Sequence, residues 1–444
     1  MVHLFLTASF FLSICPMSDM IVHPGSFLYG EVSFPGDKSI SHRSLMLGAI
    51  SEGRTRVSNC LRSADVETTR KAIQALGVRV EEEGKDLFVY GAGHGKLKAP
   101  AGSLDMGNSG TTTRLLMGIV AGHPFTATLF GDASLSKRPM KRVTEPLGKM
   151  GAKIDGPNGP DRLPLTIQGG RLRGIRYAPA VISAQVKSAL LLAGLYAEGV
   201  TTVVEPSISR DHTERMLRFF GALIRKEGSE ISVEPGGRMK GRDLAVPGDI
   251  SSAAFFLVAA GIVPGSSVMA RGVGLNPTRT GLLDLLTRMG MNLKISSVGS
   301  GEWEPVGDIH AVYGPLRGIT VESGMIPRVI DELPILMVAA TQAQGRTVIQ
   351  GAGELRVKET DRIHSMITGL AAMGADIRSE GDSVVIEGPV HLHAARVDSF
   401  QDHRTAMSLA VAALTAKEPS SITDSEWVDI SFPDFWDKLK SIRS

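Results

Sequence analysis

Apolar residues along this chain gather into six runs that look alike. They are DKSISHRSLMLGAI (37–50), GNSGTTTRLLMGIVAG (107–122), ISAQVKSALLLAGLYAEG (182–199), GDISSAAFFLVAAGIV (248–263), IDELPILMVAATQAQG (330–345) and QDHRTAMSLAVAALTA (401–416). Each opens on small or charged residues and continues as an Ala/Leu-rich stretch, a pattern that predicts a buried helix rather than a surface one. A strand-like segment follows each run: GRTRVSNC, PFTATLFG, GVTTVVEP, GSSVMARG, GRTVIQGA and PSSITDSE. A second, more amphipathic helix then ends on a glycine in IQALGVRV, LGKMGAKI, LRFFGALI, LTRMGMNL and LAAMGADI, where a left-handed C-terminal stop is expected. The sixth unit stops early, at SFPDFWDKLKSIRS. The period of about 70 residues is longer than that of solenoid repeats.

The first and fourth units share the lead-in P-G-D-x-S at 35–39 and 247–251. This predicts a duplicated half with three units per domain and a boundary near Gly248, formed by two crossing strands. The expected domains are 38–247, and 20–37 together with 248–444. A repeat could exist for packing alone. However, the unusual polar residues cluster where the buried helices begin: Lys38 and Arg43, Asn108, Ser183 and Gln185, Asp331, and His403 with Arg404. Units set around pseudo-threefold axes would bring these helix starts together, and two facing domains would enclose a cleft suited to a small, highly anionic substrate. In FPGDKSISHR, Pro35, Gly36 and Asp37 predict a turn leaving a strand, with Ser39 in the N-cap region of the next helix. The competing reading is an ordinary capped helix carrying two solvated cations.

At 444 residues the chain is long for one core. Its 43% hydrophobic and 21% charged content is that of a globular protein. With a net charge of +2 and Lys and Arg scattered, an extended nucleic-acid-binding face is disfavoured, and SKRPMKR (136–142) suits solvated surface or a small anion. Cys15 and Cys60 are the only cysteines, without metal-like spacing, so a disulfide framework and a structural zinc site are both disfavoured and a reducing cytoplasm fits. VHLFLTASFFLSICP near the start is too short to span a bilayer and has no preceding Lys or Arg. Residues 1–19 are therefore expected to be a disordered extension or a mis-set start, with an export signal as the alternative.

Several motifs carry chemistry only weakly by themselves. GNSGTTTR (107–114) is a glycine-rich entry to a helix that lets backbone N–H groups approach an oxyanion, or simply a tight turn. YGAGHGKL (90–97) lacks phosphate-loop spacing, and Leu97 stands where the metal-binding hydroxyl belongs. RVKETDR (356–362) places Glu359 and Arg362 three apart at the start of a second helix, as a surface ion pair or as chemistry. DHR (402–404) and SRDHTE (209–214) have no serine elbow to complete a triad. Asp331 is either a helix N-cap or a base at a cleft wall.

Taken in order, PGDKSISHR, GNSGTTTR, GDASLSKRPM, SAQVKSALLLAG, SRDHTE, PGDISSAAF, NPTRTG, IDELPIL, RVKETDR, DHR and SFPDF resemble the 5-enolpyruvylshikimate-3-phosphate synthase family, from about residue 22 to the C-terminus. The resemblance implies two inverse α/β domains, each of three βαβαββ units, closing around shikimate 3-phosphate and phosphoenolpyruvate. It implies a monomeric cytoplasmic transferase without metal or organic cofactor, with no nucleic-acid or membrane partner. Lys38 would lie between the substrates. Ser39, Arg43, Ser183, Ala184, Gln185, Arg210, Asp331 and Lys358 would hold shikimate 3-phosphate. Asn108, Gly110, Arg138, Arg362 and Arg404 would hold phosphoenolpyruvate, which Gln185 would also touch. Asp331 and Glu359 would be the acid/base pair, Asp331 toward the hydroxyl and Glu359 as proton donor.

The chain departs from many members in two places. Ala184 replaces a serine, and Ile430 stands where a lysine often precedes the terminal SFPD-like motif. Both departures occur in the subgroup that includes glyphosate-tolerant bacterial forms. The related transferase acting on UDP-N-acetylglucosamine fits less well, because it usually has a loop cysteine and Lys-Asn where this chain has Lys38-Ser39. A non-catalytic anion-binding repeat protein is the reading from a different class.

Overall fold

All six apolar runs are helices. In a computed structural model that describes residues 19–300 and 303–444, the first helices of the units are α1 (Lys38–Ile50), α3 (Gly110–Ala121), α5 (Ala184–Gly194), α7 (Ile250–Ile262), α10 (Leu333–Thr341) and α12 (His403–Ala413). Residues of α7 and α10 are buried at every position, which explains why these runs have no polar face. The second helices are α2 (Ala64–Ala75), α4 (Lys141–Met150), α6 (His212–Phe220), α8 (Gly281–Arg288), α11 (Arg362–Ala372) and α13 (Phe435–Ser441), and one turn, α9 (Ile326–Val329), precedes α10. Five second helices end on Gly77, Gly151, Gly221, Gly290 and Gly374, with φ between 87° and 110°, a region where a side chain would be strained.

The second unit displays the pattern in full. Strand Leu104–Asp105 lies parallel to Thr126–Phe130, which pairs antiparallel with Leu165–Gln168, which pairs antiparallel with Lys153–Asp155. With α3 and α4 between them this is a βαβαββ unit, and right-handed crossovers are the rule for such parallel connections. The third and fifth units likewise take their first strand from just upstream, at Arg176–Tyr177 and Thr320–Val321. The first and fourth do not. The first unit's sheet is completed by Asp243–Ala245, parallel to Glu52–Ser58, and the fourth unit's by Tyr29–Ser33, parallel to Ser267–Gly274. In the sixth, Met20–Val22 adds antiparallel to Ser420–Ile422 where the last hairpin is missing.

Two hydrophobic cores result. One collects residues between Ile40 and Val246; the other joins Val22–Phe34 to residues from Ile250 to Ile442. The chain crosses between them twice, and the crossings pair with each other: Asp37 N–H donates to Pro247 O (2.8 Å) and Asp249 N–H to Pro35 O (2.9 Å). Asp37 caps α1 by accepting from Ile40 N–H, and Asp249 caps α7 by accepting from Ser251 N–H. Ser39, expected in the N-cap region, instead lies inside the first turn, because the carboxylate two residues earlier already accepts the free N–H group. One buried guanidinium, Arg279, lies 3.0 Å from Asp37 and 3.5 Å from both Asp249 and Glu332.

The extension expected at residues 1–19 lies outside the described residues up to 18; Asp19 is described and pairs with Arg396 at 2.8 Å. Among the described residues, no helix is long and apolar enough to cross a membrane.

Arg279→Met would leave Asp37, Asp249 and Glu332 buried without their shared cation. The expected result is a loss of about 3–5 kcal/mol of unfolding free energy in urea titrations. A loss below about 1 kcal/mol, the range of exposed pairs, would show that the crossing does not depend on it.

Candidate functional site

Helix starts from both halves face a single cavity of about 430 Å³. From one side α1 delivers Lys38, Ser39 and Arg43; the entry to α3 delivers Asn108 and Gly110; and the start of α5 delivers Ser183, Ala184 and Gln185. Arg138 and Arg210 come from connecting segments of the same half. The other half contributes Asp331 before α10, Lys358 and Glu359 before α11, Arg362 at its first position, and Arg404 at the start of α12. Every residue singled out from the sequence thus lines the same space. The lining holds nine Lys or Arg side chains against five Asp or Glu, a surplus that favours anionic ligands.

Caps and hydroxyl chains hold the helix starts in place. Ser109 caps α3 and bonds Thr112, which bonds Thr69, which bonds His42 on α1, at 2.7, 2.7 and 2.6 Å. Asn108 accepts from Arg138 through its side-chain oxygen (2.5 Å) and donates to Asp132 (2.7 Å), so it aims the guanidinium. Asp402 caps α12 with one oxygen and accepts from Arg362 Nε with the other at 3.0 Å. Arg362 is 1% exposed, so the surface ion pair considered from sequence is instead a buried cluster that joins Glu359 (2.7 Å) and Asp402. Lys38 pairs with Asp65, a contact the sequence reading missed because Asp65 looks like an ordinary first-turn acid of α2.

Asp331 is not a cap; Glu332 occupies that position without a side-chain cap bond. Its carboxylate accepts from Arg210 across the cleft, with Lys358 and Arg362 at 3.5 Å and Arg404 at 3.9 Å. Burial penalises its charge, yet Arg210, Lys358, Arg404 and Arg362 hold it well below the usual carboxylate range. Glu359 keeps 31% of its side chain open. Although its surroundings also penalise charge, Arg362, Arg138 and Lys358 hold it well below the range too. Counting only the protein's own charges, both carboxyls are ionised, so a protonated donor is not a property of the protein alone.

Of the guanidiniums that line the cavity, Arg43, Arg114 and Arg138 have no ion-paired carboxylate among the described residues. Arg43 donates to Thr213 (2.7 Å), Ser188 (2.9 Å) and Ser39 O (2.9 Å), and burial draws its pKa down to about 10. Arg114, present in GNSGTTTR but not selected, donates to Gln185 Oε1 at 2.7 Å, and burial together with Arg138 and Arg142 draws it to about 10. Gln185 in turn donates to Thr111 at 3.0 Å, which fixes its amide. A Cβ at Gly110 would lie 2.9 Å from Arg114 Nη1 and 3.5 Å from Arg138 Nη1.

The family model described as EPSP synthase (3-phosphoshikimate 1-carboxyvinyltransferase) matches residues 22–439. The chain is 52% identical over 419 residues to a 3-phosphoshikimate 1-carboxyvinyltransferase of Geobacillus kaustophilus (strain HTA426), covering 94% of this chain and 98% of that one. It is 50% identical over 428 residues to the protein of the same name from Geobacter metallireducens, covering 96% and 100%. A solved EPSP synthase from Acinetobacter baumannii superposes with a TM-score of 0.86 at 44% identity, covering 96% and 98%. The enolpyruvyl transferase NikO from Streptomyces tendae, at 18% identity and a TM-score of 0.78 over 97% and 98%, shares the fold.

His42 and His403 are neutral well below neutrality: burial lowers both from 6.5 to about 3. Between those values the unfolded chain binds protons that the folded chain refuses, so stability falls as pH drops below 6.5. The expected slope is about 1.4 kcal/mol per pH unit for each histidine. Asp331 and Glu359, depressed when folded, add a further loss once pH enters the ordinary carboxylate range. Urea midpoints measured from pH 7 to pH 4 check this, and His42→Gln should remove one histidine's share.

Proposed function

The chain belongs to the EPSP synthase family, and we propose that its cavity is where the two anionic substrates meet. The enzyme transfers the enolpyruvyl group of phosphoenolpyruvate to the 5-hydroxyl of shikimate 3-phosphate, releasing phosphate, in the shikimate pathway. The observation that carries the site assignment is the charge surplus, with three buried or half-buried guanidiniums that no carboxylate neutralises. Each substrate brings one phosphate and one carboxylate, which is the complement those cations call for.

In this reading Ser39, Arg43, Ser183, Ala184, Gln185, Arg210 and Lys358 hold shikimate 3-phosphate. Lys38 lies between the two molecules. Asn108, Gly110, Arg138, Gln185, Arg362 and Arg404 hold phosphoenolpyruvate. The ordered starts of α1, α3 and α5 add backbone N–H groups at the positive ends of helices. Ala184 has no hydroxyl, so its backbone N–H is what it offers.

The 5-hydroxyl loses its proton as its oxygen bonds to the substituted carbon of phosphoenolpyruvate, whose methylene carbon gains one; the resulting methyl group then gives a proton back as the C–O bond to phosphate breaks, which restores the double bond. Asp331 is the base and Glu359 the donor. Glu359 has to acquire a proton, which the surrounding cations oppose. Anionic substrates seated on Arg138, Arg362 and Arg404 would offset that positive field and raise the carboxyl's pKa, so substrate binding itself would load the acid. Closing the halves, 38–247 against 20–37 with 248–444, would then shield the cation-like intermediate from water. The assigned residues complete the cavity without a second subunit, and we propose a monomeric, cytoplasmic enzyme. No described cysteine lines the cavity, and Cys60 is buried elsewhere, which argues against the UDP-N-acetylglucosamine-type reaction.

Phosphate release should require both substrates and persist in EDTA; release with either substrate alone would contradict the assignment. Asp331→Asn should lower kcat by about 10²-fold or more while calorimetric affinity for shikimate 3-phosphate stays within about tenfold. Unchanged turnover would remove Asp331 from the mechanism. We place glyphosate in the phosphoenolpyruvate site. Gly110→Ala, whose methyl meets Arg114 first, should then raise the ratio of glyphosate Ki to phosphoenolpyruvate KM by about tenfold. Equal losses for both ligands would sink the steric explanation.

A further inference from the structure

Behind the cavity lies a charged cluster for which the mechanism above has no use. Lys187, on α5, is 1% exposed, and its ammonium is 2.9 Å from Glu205 and 2.6 Å from Glu214, each 5% exposed. Burying three charges is costly, and apolar residues of similar volume generally serve stability as well or better. The contacts of Glu205 indicate a different use. Its second oxygen accepts the hydroxyl proton of Ser209, the residue before Arg210.

The segment between strand Thr201–Val204 and α6 has no regular structure, and Ile208 within it is 56% exposed. Arg210 is nonetheless flanked by two tethered neighbours. Ser209 is tied to Lys187 through Glu205. Asp211 accepts from Asn276 of the other half at 2.7 Å and from Arg215 at 2.8 Å. We propose that Lys187, Glu205 and Ser209 form a positioning chain that fixes Arg210 for shikimate 3-phosphate. The hydroxyl proton of Ser209 is committed to Glu205, so this side chain acts as a strut rather than as a donor to the cavity. Lys187 holds the Glu205 carboxylate in place, and Glu214 balances the ammonium from the start of α6. The inference rests on the assignment of Arg210 to shikimate 3-phosphate.

Glu205→Leu suits the test, because it leaves Lys187 and Glu214 as a one-to-one pair and retains a side chain of similar size. Ser209→Ala cuts the same chain one link later. Both should raise KM for shikimate 3-phosphate about tenfold while kcat stays within about threefold and KM for phosphoenolpyruvate within about twofold. Arg210→Gln is the reference, and the expected result there is a larger rise. In the Arg210→Gln background, Glu205→Leu should add less than about twofold, because its effect runs through the missing side chain.

If Arg210→Gln raises this KM while Glu205→Leu and Ser209→Ala do not, the positioning chain is wrong and the site assignment stands. If Arg210→Gln leaves KM unchanged, the assignment itself fails and takes the proposal with it. Additive effects in the double variant overturn the route through Arg210. So does a lower melting temperature accompanied by loss of kcat at constant KM, the signature of a purely structural role.

Discussion

The double chain crossing is the constraint on which the rest of this molecule depends. Pro35 and Pro247 expose carbonyls that the partner crossing's Asp249 and Asp37 N–H groups take up, and Arg279 pairs with both aspartates from one buried position. Because Tyr29–Ser33 and Asp243–Ala245 each complete a sheet in one half before the chain enters a helix of the other, neither half closes without the crossing. The same two aspartates cap α1 and α7. One arrangement therefore fixes sheet closure, helix start and the relative placement of the cleft walls. Lys38 follows Asp37 directly, so the geometry of the crossing is also the geometry of the site.

The cleft inverts the usual logic of buried charge. Other buried cations are matched: Arg279 by Asp37, Asp249 and Glu332, Arg362 by Glu359 and Asp402, Lys187 by two glutamates. Arg43 is buried and Arg114 half-buried, each with only neutral oxygens as hydrogen-bond partners, and their pKa values are drawn down accordingly. Such groups cost folding free energy and recover it when an anion arrives. Asp331 and Glu359 sit in the same field. A carboxyl held ionised by surrounding cations becomes a usable acid only when those cations find other partners, so on the proposed assignment binding and acid/base readiness are coupled through electrostatics.

Much of this was legible in the sequence because it depends on local chemistry. The six apolar runs show as helices since no polar face interrupts them, and the glycine stops show since only glycine tolerates φ near 90°. Candidate site residues such as Lys38, Arg43, Asn108, Gln185 and Arg404 stood out at helix starts, whereas Arg138 and Arg210, in connecting segments, came from the family resemblance. What stayed hidden depends on tertiary proximity. Strands of two or three residues such as Leu104–Asp105 carry no periodicity, and nothing local says that Asp243–Ala245 belongs to the first unit's sheet. Asp65 resembles any first-turn acid until Lys38 is placed beside it. Ser39 looked like a cap because the sequence does not reveal which of two neighbouring oxygens reaches the N–H. The Lys187 cluster was invisible, since an amide or a lysine within SAQVKSALLLAG gives no sign of facing Glu205 and Glu214.

The two lead-ins PGDKS and PGDIS separate frame from chemistry. They are built alike: the same turn, an aspartate cap, and hydrogen bonds from one crossing to the other. Past the cap they diverge. Lys38 enters the cavity and pairs with Asp65, whereas Ile250 is buried in its half's core. Ser39 lines the cavity, whereas Ser251 donates to Glu332 and accepts from Arg279 at 2.7 Å, serving the crossing itself. A frame with near-equivalent halves offers each functional position twice. Here one copy carries the cavity's Lys38 and the other carries the partner that holds the crossing, so α1 and α7 specialise without altering the turn that places them both.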